Sequence, residues 1–171
     1  MNIKFAHSGI LEIDDARITF KNFSGAPGPY NDEGDRGFAV IIPNQELADE
    51  LKARGWNVTI KPPRDEDDEP FRYMKVKVKY RKDKNGNQYG PEAYLVTGDR
   101  KNELNQDTIG CYDNISIARV DMDIRPYDWE RPNGASGRTA YLNAICVTQK
   151  VSRFADDDRF GGYEDDEKVP F

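Results

Sequence analysis

Apolar and polar residues alternate along most of the chain up to about residue 150, in short runs broken by Gly, Pro and Asn, with a period nearer two than 3.6. The pattern predicts strands over 16–23, closed by Ser24-Gly25-Ala26-Pro27-Gly28-Pro29, over 38–42, and over 56–61 before Pro62-Pro63. Further strands follow over 71–82, around 93–96, over 115–127 and over 139–149. One segment breaks the period. From Gln45 to Arg54, residues Leu47, Leu51 and Arg54 share a helical face, Asn44 stands where an N-cap belongs and Gly55 where a helix stops. Six or seven strands with closely spaced turns and one inserted helix predict a mainly β fold, a small barrel, although a two-sheet sandwich would give a similar string.

The stretch from Phe71 to Lys82 carries the strongest pattern. Met74, Val76, Val78 and Tyr80 fall on one face, and Tyr73, Lys75, Lys77, Lys79 and Arg81 on the other. One face belongs to a core and the other is strongly basic. Asn85-Gly86 is a strong hairpin signal, so the strand is expected to run into a protruding β-hairpin that carries Lys82 and Lys84, with a returning strand near Ala93 to Val96. The 115–127 strand places Ala118, Val120, Met122 and Ile124 inward against Arg119, Asp121, Asp123 and Arg125.

Charge modifies this picture. The net charge of −6 looks unsuited to a polyanionic partner, but its distribution is uneven. Residues 155–171 hold seven acids against Arg159 and Lys168, a net of −5, which leaves −1 for residues 1–154. The run Asp65-Glu66-Asp67-Asp68-Glu69 accounts for another −5, so the rest of the body is +4. The expected organisation is a folded domain over 1–154 and a disordered acidic tail over 155–171. No apolar run approaches the length of a membrane span or a signal peptide, so a cytoplasmic protein without a membrane partner is expected. Cys111 and Cys146 are far apart and His7 is the only histidine, which leaves no zinc or disulfide framework; no metal site and no cofactor are expected.

The C-terminal run Tyr163-Glu164-Asp165-Asp166-Glu167-Lys168-Val169-Pro170-Phe171 resembles the acidic tip of bacterial and bacteriophage single-stranded-DNA-binding proteins, with Lys168 departing from the purely acidic version. Three body segments, Phe20 to Gly25, Leu51 to Trp56 and Val120 to Trp129, are similar to phage-encoded members. The resemblance implies an OB-like fold, a five-stranded core barrel with extra strands. It also implies a role in replication or recombination inside a bacterial host cell, with the barrel coating single strands and the tip docking on other DNA-processing proteins; a homodimer is compatible with it. The tip's chemistry agrees. A terminal Phe171 can fill an apolar pocket, with Val169 and Pro170 beside it, while its α-carboxylate pairs with a cation and Asp165, Asp166 and Glu167 add steering.

Binding single strands without sequence readout requires cations along the phosphate path and rings on which bases stack. Tyr73, Lys75, Lys77, Lys79 and Arg81 supply both, and Lys82 and Lys84 extend the stripe into the hairpin. Tyr127 and Trp129 adjoin Arg125 and Arg131 as a second platform, and Tyr89 and Tyr30 could clamp a strand; Trp56 suits a core equally well. Asp121 and Asp123 open a rival reading, a metal-dependent nuclease, although such a site ordinarily needs a third acid, for which no sequence signal singles out Glu92, and a nearby Lys or His. No GxSxG, P-loop, GxGxxG or calcium-loop spacing is present, and a non-catalytic binding protein is expected. A third reading is an adaptor that uses the tail and never touches DNA.

Overall fold

The computed structural model describes residues 1–152. In chain order its strands are β1 (Asn2–Phe5), β2 (Leu11–Asp14), β3 (Ile18–Asn22), β4 (Arg36–Ile41), β5 (Thr59–Lys61), β6 (Phe71–Val78), β7 (Arg81–Lys82), β8 (Gln88–Tyr89), β9 (Glu92–Thr97), β10 (Arg100–Leu104), β11 (Ile117–Glu130) and β12 (Ser136–Gln149). Helix α1 (Gln45–Ala53) lies between β4 and β5, and a 3-10 helix spans Ile109–Asn114. The acidic tail, its boundary at residue 154 and the tip residues all lie outside the described residues.

The long antiparallel pair β11–β12 is the spine, turned at Arg131 to Ala135 with Gly134 at φ +88°. On the free side of β11, β2 pairs and β1 follows. The other edge of β12 is shared: Ala144 to Thr148 run parallel to β9, while Tyr141 pairs in parallel with Lys77 of β6. Beyond β6 come β4 and then β3. One hydrophobic cluster joins residues of β2, β4, α1, β6, β9, β11 and β12, so this single sheet wraps around one core. The mainly β fold is as expected, and its strand path runs from β1 to β3 without meeting itself, so the barrel-like wrap is an open sheet.

The cap on α1 follows its sequence signal: Asn44 Oδ1 accepts the Leu47 N–H at 2.8 Å, and Gly55 at φ +95° ends the helix. Ala48 and Leu51 are its buried residues. Tyr112, on the 3-10 helix, is fully buried against Phe23, and its hydroxyl donates to the Tyr94 carbonyl oxygen at 2.6 Å. Tyr112→Phe leaves that carbonyl without its donor and is expected to cost about 1–2 kcal/mol, read as a lower urea midpoint at unchanged m-value.

The structure departs from the pattern reading in several places. β6 ends at Val78, and Arg81 and Lys82 belong to a separate two-stranded ladder with β8. The hairpin over Asn85-Gly86 thus returns through Gln88–Tyr89, and Ala93 to Val96 pair with β10 and β12 instead. Ala118 is exposed because the β11 register slips between Ile117 and Arg119. Among the described residues, no helix is long and apolar enough to cross a membrane.

Candidate nucleic-acid interface

Strand β6 alternates as its sequence dictates: Met74, Val76 and Val78 enter the core while Lys75 and Lys77 point outward and are exposed. Its neighbours leave those lysines uncovered. Opposite Lys77 and Lys75 on β4 stand Gly37 and Ala39, too small to shield an ammonium group. On the other edge β5 pairs only with Phe71 to Tyr73 and β12 reaches β6 only at Lys77. The gap at Lys75 is a cleft lined by Trp56, Thr59, Lys75, Lys77, Arg138 and Thr139.

Register then carries this surface onto the spine. Tyr141 pairs with Lys77 on one side and with Arg125 on the other, and Tyr127 stands opposite Thr139, so all these side chains share the outer face. The rings of Tyr127 and Tyr141 meet edge to face at 6.1 Å, and the Arg125 guanidinium sits 5.1 Å from the Tyr141 centroid. Tyr127 is 52% exposed. Two residues further along β11, Trp129 lies over Gly137, where a Cβ would come within 2.5 Å of the ring, and Arg131 covers it at 5.2 Å. Two groups separated by about 50 residues in the sequence, Lys75/Lys77 and Arg125/Tyr127/Trp129, therefore form one cationic and aromatic surface. Tyr141 joins them, and the sequence reading missed it.

Other predicted residues stand apart. Tyr73 is only 6% exposed, because Phe20 from β3 and Phe71 pack on its ring at 5.6 and 5.4 Å. Lys79 is exposed where β6 ends, while Arg81, Lys82, Lys84 and Tyr89 ride on the β7–β8 hairpin. That hairpin has its own brace: Asp83 Oδ1 accepts the Asn85 and Asn87 N–H groups, and these bonds hold the Asp83 carboxyl below its usual range, that of Asn87 most strongly. Trp56 is buried, with Arg138 over its ring at 5.0 Å, and Tyr30 is fully exposed in the β3–β4 loop.

Charge changes sign along β11. Asp123, two residues before Arg125, faces Glu12 of β2 and the position of Glu92 on β9 through Ala144. Burial and then the neighbouring Glu12, Asp14 and Glu92 raise the Asp123 carboxyl above its usual range. Asp121 accepts from Arg119 Nε at 3.0 Å and from the Asp15 N–H at 2.9 Å. Carboxylates thus gather around Asp123 in this half of the face. A second cleft, between β3 and the start of β11, also holds cations, and three of them are engaged: Lys21 donates to the Tyr112 carbonyl, Arg72 to Gln45 and Arg119 to Asp121, while Arg17 is exposed there.

The described fold is similar to the solved structure of the single-stranded DNA-binding protein from bacteriophage Enc34, with TM-score 0.52 and 16% identity over 92% of this chain and 90% of that one. The C-terminally truncated form of the same protein gives 0.51 and 15% over 88% and 92%. No curated protein sequence matches the chain. The family model of the phage ssDNA-binding domain matches residues 2–159, nearly the whole sequence, and the chain belongs to that family.

Proposed function

We propose that the chain binds single-stranded DNA without reading its sequence, laying the strand over the outer face of β6, β12 and β11. The observation that carries this reading is the register of Lys77 beside Tyr141, which sets an uncovered lysine pair next to the half-buried Tyr141 ring and the exposed Tyr127 ring on one surface. In this reading Lys75 and Lys77 take successive phosphates, Tyr127 and Tyr141 stack bases, and Arg125 and Trp129 extend the platform. Lys79, Arg81, Lys82, Lys84 and Tyr89, at the end of β6 and on the hairpin, contact the DNA from beside this path. Tyr73 serves from below, as support for the rings above it. The C-terminal residues Asp165, Asp166, Glu167, Val169, Pro170 and Phe171 recruit replication or recombination proteins by terminal-carboxylate capture.

The nuclease reading has less support, since Asp121 is already held by Arg119 and the Asp15 backbone. Gel shifts with and without Mg²⁺, inspected for cleavage products, separate the two; intact DNA in a Mg²⁺-independent shift is expected. Titrations with oligo-dT, oligo-rU and duplex test strand preference. If about four phosphates are neutralised, log K against log salt should slope near −3, from roughly −0.7 per phosphate. A slope near zero would remove the lysine face from the binding reaction.

A further inference from the structure

Phe20 is turned the wrong way for a core residue. Ile18 pairs with Val40 and Thr19 with Ala39, so simple alternation would send Phe20 inward and Lys21 outward. Between Thr19 and Asn22 the β3–β4 register slips by one residue, Phe20 takes a left-handed backbone at φ +52°, and the two side chains exchange sides. Lys21 turns in to donate to the Tyr112 carbonyl at 2.9 Å, and the Phe20 ring turns out, 62% exposed. A bulky residue at positive φ is strained, and exposing an apolar ring forgoes the gain of burying it. Both costs fall on one residue, and the fold could avoid them with Gly or Asn at this position.

The outward ring is nevertheless held firmly. Phe71 meets it edge-on at 6.1 Å and 89°, Tyr73 at 5.6 Å and 76°, and Lys61 Nζ lies 5.8 Å from the Tyr73 ring. Phe71, Tyr73, Lys75 and Lys77 occupy alternate positions of β6 and so share its outer face. Tyr73 to Lys77 spans roughly 13 Å along the strand, after which the surface continues to Tyr141 and Tyr127. Rings therefore border the lysine pair on two sides, Tyr141 beside Lys77 with Tyr127 beyond it on β11, and Phe20 on the Tyr73 side.

Resting on the single-strand-binding reading, we infer that Phe20 is a base-stacking residue: a nucleobase of the bound strand lies on its exposed face, and Phe71 and Tyr73 fix the ring from beneath. The strand then runs from Phe20 past Lys75 and Lys77 to Tyr141 and Tyr127. Phe20 sets one end of the contacted segment.

The positive φ makes the test selective. Phe20→Gly removes the ring and its contacts with Phe71 and Tyr73 but relieves the backbone, and these opposing effects should leave the melting temperature little changed. Affinity of the full chain for oligo-dT should fall about tenfold, within the range measured for loss of one base stack. The salt slope should not change, because no charge is lost. In Phe20→Trp, the fluorescence added relative to wild type should be quenched by saturating oligo-dT. If wild type and Phe20→Gly bind equally, or the added tryptophan ignores the DNA, the Phe20 assignment is overturned while the binding reading stands. Failure of wild type itself to bind oligo-dT would overturn both. A change of oligomeric state on size exclusion in place of an affinity loss would make the ring a protein contact and also overturn the assignment.

Discussion

Changing Lys75, Lys77 and Lys79 together to Glu should leave a folded domain whose affinity for oligo-dT at physiological salt is lower by roughly two to three orders of magnitude. The fold should survive because Lys75, Lys77 and Lys79 are solvent-exposed and none forms an ion pair among the described residues. The loss should be large because each reversal removes an attraction and installs a repulsion on the same phosphate path. Val76→Asp, between two of these lysines, should do the opposite. Val76 is 1% exposed inside the wrapped sheet, and a carboxylate there is buried without a partner, so the domain should unfold. Circular dichroism and an oligo-dT titration on both variants check the pair. A triple-Glu variant that stays folded and binds normally would move the strand path away from β6.

That contrast was legible in the sequence, because strand alternation is a local signal and β6 is packed on one face only from Met74 onward. The α1 cap, Gly55 and the hairpin over Asn85-Gly86 were legible for the same reason: each is decided within a few residues. Where the reading failed, the deciding partner was distant or the pattern was absent. β10 is exposed at nearly every position and pairs only with β9, so no apolar alternation marks it. β1 and β2 are four residues each, too short to stand out around their turn. Tyr73 was assigned to the correct face, but alternation cannot show what lies on that face; Phe20, some 50 residues upstream, covers it. Tyr141 sits within an apolar strand, and only its pairing with Lys77 reveals its place in the site. The Phe20/Lys21 exchange depends on a one-residue bulge, and bulges leave no periodic trace.

Removing residues 155–171 should act in two directions at once. The segment carries a net of −5 and is tethered to a domain whose remaining charge is positive once the 65–69 run is set aside. Tethering holds it at roughly millimolar effective concentration, so its carboxylates compete with phosphate for Lys75 and Lys77. The truncated chain should therefore bind oligo-dT several-fold more tightly at low salt, and the gain should shrink as salt shortens the Debye length from about 30 Å at 0.01 M to about 8 Å at 0.15 M. The same truncation should abolish capture of replication or recombination proteins. Deleting Phe171 alone separates the two effects. It preserves every side-chain charge and passes the α-carboxylate to Pro170, so DNA affinity should stay within about a factor of two, a free-energy change of ~0.4 kcal/mol. Partner capture should nevertheless fall nearly as far as in the full truncation, because the terminal ring that fills the partner's pocket is gone and the carboxylate is displaced by one residue. DNA titrations at two salt concentrations and pull-downs with purified host replication proteins, on full-length, truncated and Phe171-deleted chains, read both halves. Retention of every partner by the single deletion would reduce the tip to a solubilising charge, and unchanged DNA affinity on truncation at low salt would show that the tail leaves the lysine face free.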